Sequence, residues 1–322
     1  MVVSAAGLSP ARGPRVPGRA AVALRGAVLA LALPVGVLLA VLLPAGPGAT
    51  AFAAARPSVI AAARPQVPVA VPREIGPIAD DPAGSMIAFE AGGDEVRAYL
   101  ARAEGKAPRP GIVVIHEWWG LNEQIKGVAD RLAGIGFDAI VPDLYRGRLA
   151  KDRGIAHELS RGLSETRALE IVRGAIGHLK SMDGGRHRAV ATVGFCMGGR
   201  LSLAAALRGE DVQATVMFYG SVETSPEALR AIRAPVLGIF GAQDRGIPKE
   251  EVRKFEAALK EAGKTATILV YEEVGHAFFN ELSASHDSEI AKDAWHRMKD
   301  FLTLHLRPGA ADAARAMPRT TG

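Results

Sequence analysis

The segment Gly194-Phe195-Cys196-Met197-Gly198-Gly199 constrains this chain more than any other. An apolar run, Ala189 to Val193, leads into it, and an Ala/Leu-rich stretch, Leu201 to Leu207, leads away. A strand that turns at once into a helix leaves no room for side chains beside the turn, and glycine also tolerates dihedrals that other residues avoid. Glycines on both sides of one cysteine therefore predict a tight turn that lifts a thiol above the end of a sheet. The thiol would sit at a helix N-terminus, whose partial positive charge favours thiolate. Cys196 is the only cysteine among the 322 residues, which excludes an intramolecular disulfide. A buried cysteine is commonly a small hydrophobe; in this turn it reads as a nucleophile.

Glycine-rich turns of this kind also bind phosphates, but the residues argue against that here. A Gly-x-Gly-x-x-Gly fingerprint needs glycine where Cys196 stands, and no Gly-Lys-Ser/Thr follows.

The chain then sorts into segments. Residues 1–73 hold seven arginines (12, 15, 19, 25, 56, 64 and 73) and no acid. Removing these from the 39 basic residues leaves 32 against 34 acidic ones, a balance of −2. The formal charge of +5 thus belongs to a leader and gives no basic face for nucleic acid. Arg12, Arg15, Arg19 and Arg25 precede a charge-free apolar run, Gly26 to Leu43, and the A-x-A sites Ala49-Thr50-Ala51 and Ala51-Phe52-Ala53 follow. This pattern is that of an export signal over residues 1–53. An uncleaved membrane anchor through 26–43 is the rival reading, against which Pro34, Gly36 and the cleavage sites weigh; a misassigned start before a cytoplasmic enzyme is a third. Residues 54–85, rich in Pro and Ala, read as a linker, and 307–322 as a disordered tail.

Between them, residues 86–306 alternate strands and helices. Expected strands are Met86–Glu90, Val96–Ala101, Ile112–His116, Ala139–Pro142, Ala189–Gly194, Ala214–Tyr219, Val236–Gly241 and Thr267–Tyr271. From Ile112 onward they are short, almost wholly apolar and β-branched, as parallel strands covered on both faces must be. Apolar stripes at helical spacing link them: Ile125/Val128/Leu132/Ile135, Leu169/Val172/Ile176/Leu179, Val252/Phe255/Leu259/Ala262 and Ile290/Ala294/Met298/Phe301/His305. The fold class is therefore α/β: a mostly parallel central sheet with helices on both faces and ligands at the carboxyl ends of its strands.

Three further groups fall at those ends. Asp244 follows the strand Val236–Gly241, and His276 follows Thr267–Tyr271. Nucleophile, acid and His occur in the chain order used when an acid steadies an imidazole that shuttles a proton. Glu117, in His116-Glu117-Trp118-Trp119-Gly120, closes the strand Ile112–His116 and is expected to face the thiol; a hydrated acid or a helix cap is its bland alternative. The backbone N–H groups of Trp118 and Met197 are candidates for an oxyanion hole. His116-Glu117 begins like a zinc motif, but Gly120 occupies the second histidine position, so no metal is expected.

These stretches, with Pro142-Asp143-Leu144-Tyr145, Phe218-Tyr219-Gly220, Gly241-Ala242-Gln243-Asp244 and Gly275-His276-Ala277-Phe278, resemble the dienelactone hydrolase (carboxymethylenebutenolidase) family of α/β-hydrolases. The resemblance implies a Cys196–His276–Asp244 triad, with Glu117 gating the thiol. It places Tyr145 and Tyr219 near the pocket, although packing against the sheet explains either tyrosine equally well. Lactone-cleaving members resemble one another in Gly-His-Ser-Phe-x-x-Arg, whose Ser and Arg hold a substrate carboxylate; here Ala277 and Asn280 stand there. With Trp118 and Trp119 as binding candidates, that departure points to a more apolar ester or lactone. The expectation is an exported, cofactor-free, monomeric ester or lactone hydrolase. A non-catalytic envelope binding protein, or a thioesterase or peptidase on the same fold, is the alternative.

Overall fold

The computed structural model describes residues 83–105, 109–184 and 189–306. The expected leader and tail lie outside the described residues, as does the linker up to residue 82.

Strands β1 (Ser85–Ala91) and β2 (Asp94–Ala101) form a hairpin in which Ala91 pairs with Asp94. Its two-residue turn is Gly92-Gly93, with φ of 59° and 84°. A tight hairpin that matches the strand twist needs positive φ at both positions, which glycine supplies without strain. The remaining strands are β3 (Gly111–Ile115), β4 (Asp138–Pro142), β5 (Val190–Phe195), β6 (Ala214–Phe218), β7 (Val236–Gly241) and β8 (Ala266–Tyr271). One sheet results, ordered β1-β2-β4-β3-β5-β6-β7-β8, antiparallel across β1, β2 and β4 and parallel from β4 onward.

Every residue of β3 to β7 is buried, because helices cover both faces. Alternate residues of one strand point to opposite sides. Ile112 and Val114 pack with α1 (Glu123–Gly134) and α7 (Ser288–Leu306). Val113 and Ile115 pack with α3 (Glu165–Ser181) and α4 (Met197–Leu207). Beneath β6 and β7, α4 and α6 (Lys249–Glu261) close the second face around Met217 and Phe240.

Helices begin where the sequence offers an acceptor for their first amides. Asn122 accepts from the Ile125 N–H and Ser164 from the Arg167 N–H, each at 3.2 Å. Besides α4, expected from its Ala/Leu-rich stretch, two helices lie outside the apolar stripes read from the sequence. The first, α2 (Arg153–Gly162), is short but amphipathic, with Ile155, Ala156 and Leu159 on its inner side, a stripe the sequence reading passed over. The second, α5 (Pro226–Leu229), is a single turn. The sequence also placed His116 at the end of β3 and Tyr219 at the end of β6, but both stand one residue past their strands.

This topology fixes where a ligand can bind. From β3 the chain passes over one face through α1 to β4; from β5 it passes over the other through α4 to β6. Adjacent strands whose connections diverge leave a crevice at their carboxyl ends. His116 to Trp118 and Cys196 stand at that crevice.

Candidate active site

The turn after β5 is as tight as its glycines foretold. A Cβ on Gly194 would lie 1.9 Å from the Gly198 carbonyl oxygen, and one on Gly198 would lie 2.1 Å from that of Ile115. Cys196 itself has φ 54° and ψ −115°, a conformation costing a non-glycine residue about 1–3 kcal/mol. Among the described residues, the non-glycine positions with positive φ are Arg146, Asp183, Cys196, Tyr219 and Ala277. Three of these surround the thiol, so backbone strain gathers at the crevice. Cys196 is partly exposed there, at the N-terminus of α4.

Asp244 sits on the loop after β7 and is 5 % exposed. Its Oδ1 accepts the N–H groups of Gly246 at 2.8 Å and Ile247 at 3.1 Å. Its Oδ2 is thereby aimed at His276 Nδ1, 2.6 Å away. Burial would lower the pKa of His276, but hydrogen bonds to Asp244 and to Cys196, and the negative charges of both, push it up to about 10. The imidazole lies between acid and thiol, with Nδ1 given to Asp244.

Glu117 is 4 % exposed, so it is neither the hydrated acid nor the helix cap of the bland reading; Asn122 caps α1 instead. One carboxylate oxygen accepts from the Tyr219 hydroxyl at 3.1 Å, the other from the Asn280 amide at 2.7 Å. Burial raises its pKa more than these hydrogen bonds and the His276 charge lower it. Tyr219, fully buried and pressed against the His276 ring at 5.1 Å, is raised well above its ordinary value by burial and by Glu117. It holds Glu117 and also lines a cleft that opens on the thiol.

Two clefts open on the sulfur. One, of about 430 Å³, is lined by Glu117, Trp118, Trp119, Cys196, His276 and Asn280, with Lys151 and Arg153 contributing positive charge. The other, of about 570 Å³, shares Trp118, Cys196 and His276 and adds Met197, His157 and Arg200. Trp118 divides them, edge-on to Trp119 at 5.3 Å and to His157 at 4.8 Å. Tyr145 lines neither. It is buried, and its hydroxyl donates to the Met197 sulfur at 3.3 Å, so of the two readings open for it the packing one fits. The N–H groups of Trp118 and Met197 make no hydrogen bond among the described residues. Also among the described residues, no group of three or more His, Cys, Asp or Glu is placed to hold a metal ion.

Sequence reasoning missed several residues that face this site, Arg200, Leu282 and Ser283 among them. Lys151, Arg153 and His157 come with α2 and the loop before it, whose short stripe the sequence reading passed over. Asn280 was seen only as a lost arginine, although an amide four residues after a candidate histidine was the available signal.

Comparison with known proteins agrees with this architecture. The sequence model of the Dienelactone hydrolase family matches residues 96–306, more than half of the chain. A Yersinia pestis protein named "Putative carboxymethylenebutenolidase" is 34% identical over 227 residues, covering 66% of this chain and 85% of its own. The crystal structure of "Putative Dienelactone Hydrolase from Klebsiella pneumoniae subsp. pneumoniae MGH 78578" superposes with a TM-score of 0.63 at 30% identity, covering 68% of this chain and 98% of that one. At 19% identity and a TM-score of 0.55, an esterase from Thermogutta terrifontis shares the fold, over 70% of this chain and 95% of its own. The chain belongs to the dienelactone hydrolase family of α/β-hydrolases and is a hydrolase acting on ester bonds.

Proposed function

We propose that the protein cleaves a small carboxylic ester or lactone through a thioester on Cys196. One observation carries this reading: the strained cysteine and His276 line one crevice, and His276 is anchored on the buried Asp244 across 2.6 Å. The raised pKa of His276 favours its protonated form beside the sulfur at neutral pH. Thiolate attacks the carbonyl carbon, and the oxyanion accepts the free N–H groups of Trp118 and Met197. As the carbon–oxygen bond breaks, His276 gives its proton to the leaving alkoxide. His276, now neutral, takes a proton from water, whose oxygen attacks the thioester and releases acid and thiolate. In a lactone the alkoxide stays tethered, so water must outrun ring closure.

Glu117 is the second proton store. Burial beside the thiol pushes this carboxyl, held by Tyr219 and Asn280, toward its protonated form, so it can hold the proton that the sulfur has given up. Ala277 and Asn280 offer a substrate no cation, but Lys151 and Arg153 line the same cleft as the tryptophans. The cleft therefore suits an ester with an apolar body and room for a polar or acidic end. The Arg-rich start, apolar run and A-x-A sites support export, which sequencing the N-terminus of the mature protein tests.

Cys196→Ala is expected to abolish hydrolysis of p-nitrophenyl acetate. Activity retained by that variant overturns the proposal.

A further inference from the structure

His116 is fully buried next to the crevice yet lines neither cleft. Its ring bridges two backbone groups. The Leu144 N–H donates to Nε2 at 3.3 Å, and Nδ1 lies 2.6 Å from the Glu117 carbonyl oxygen. Both bonds exist together only when Nε2 is bare and Nδ1 carries the hydrogen, so the two partners fix the tautomer. Burial lowers the pKa of this ring, which favours that neutral form. The segment presenting Leu144 is itself tied down, since Asp143 accepts the N–H groups of Tyr145 and Gly147.

The carbonyl that His116 holds belongs to the same peptide as the Trp118 N–H. A trans peptide is planar, with its C=O and N–H pointing in opposite directions. Drawing the carbonyl toward His116 therefore turns the N–H away from that ring, and Trp118 lines one cleft together with Cys196. Gly120 N–H also donates to that carbonyl, at 3.3 Å, from within the same turn. The imidazole is the shorter and better-anchored restraint.

We propose that His116 is a positioning residue for the reaction, setting the Trp118 N–H as an oxyanion donor by gripping the Glu117 carbonyl from behind. The inference rests on the thioester reading above, because it assigns that N–H to the oxyanion.

Two rates separate this role from a merely structural one. Ester hydrolysis needs both a reactive sulfur and an oxyanion donor, whereas alkylation of Cys196 by iodoacetamide, a displacement at saturated carbon, needs only the sulfur. In the full chain, His116→Leu is expected to lower kcat for p-nitrophenyl acetate by about tenfold or more, with KM little changed. The alkylation rate should stay within about twofold of the parent, since thiolate reactivity is set by its own surroundings. His116→Asn, whose amide nitrogen replaces the Nδ1 donor, should recover much of kcat, and His116→Gln, with its donor at the Nε2 position, should recover less. Hydrolysis unchanged in His116→Leu overturns the proposal, as does an equal fall in hydrolysis and alkylation. If His116→Leu does not fold, the Asn and Gln variants decide: Gln equal to or better than Asn contradicts it. Failure here with an inactive Cys196→Ala leaves the nucleophile standing, whereas an active Cys196→Ala removes the reading beneath it.

Discussion

The side-chain amide of Asn280 donates to the buried carboxylate of Glu117 across 2.7 Å. Its own oxygen accepts the Leu282 N–H at 2.9 Å, which fixes which end of the amide faces the acid. A residue that looked in the sequence like a lost substrate clamp is thus turned inward, onto the acid beside the thiol. Asn280→Leu leaves one Glu117 oxygen buried without a donor and should cost about 1–3 kcal/mol of stability. Urea unfolding at neutral pH measures it; a change within error would show that the bond does not hold Glu117.

Glu117→Gln should raise the melting temperature at neutral pH. The folded-state pKa of Glu117 lies above its ordinary value because of burial. The folded chain therefore binds a proton that the unfolded chain releases, and stability is lost as pH rises above the unfolded value. The neutral amide removes that loss. The gain of the variant over the parent should vanish at low pH and grow upward from the ordinary carboxyl range; a constant gain contradicts the assignment.

Asp244→Asn keeps an acceptor for Gly246 and Ile247 but presents an amide to His276. By analogy with other acid–His–nucleophile sites, kcat should fall by about two to four orders of magnitude. Stability adds an independent reading. His276 is raised from 6.5 to about 10, so its contribution is complete below pH 6.5 and is lost as pH rises through about 10. Melting temperature against pH should decline across that window in the parent and flatten in Asp244→Asn.

Gly198→Ala puts a methyl group 2.1 Å from the Ile115 carbonyl oxygen, where neither backbone can yield cheaply. The variant should lose both hydrolysis and thermal stability, unlike Cys196→Ala, which should lose hydrolysis alone. A folded, active Gly198→Ala would show that the turn is looser than its glycines imply.

The sheet was legible because strands covered on both faces carry few polar side chains: Ile112 to Ile115 is an unbroken apolar run, and Val190 to Val193 is broken only by the buried Thr192. The candidate site was legible where glycine marked it, as at Cys196, and where a polar residue closed an apolar run, as at Glu117, Asp244 and His276. Helix α2 does carry a local stripe, Ile155, Ala156 and Leu159, but that Lys151, Arg153 and His157 would line the clefts on the thiol is set by packing. What stayed hidden depends on such long-range contacts. Whether Asn280 faced substrate or Glu117, and whether His116 ended a strand or gripped a peptide, turned on which backbone groups lay opposite. Those are long-range contacts, with Asn280 and Glu117 meeting across 163 residues.

The thioester is the claim on which the rest stands, and it can be seen directly. The full chain is mixed with p-nitrophenyl acetate, quenched in acid within the first turnover, digested and analysed by mass spectrometry. One acetyl group is expected on the peptide carrying Cys196 and absent from Cys196→Ala. Turnover at the parent rate with Cys196 unmodified, or with the acetyl group on another residue, would contradict the account.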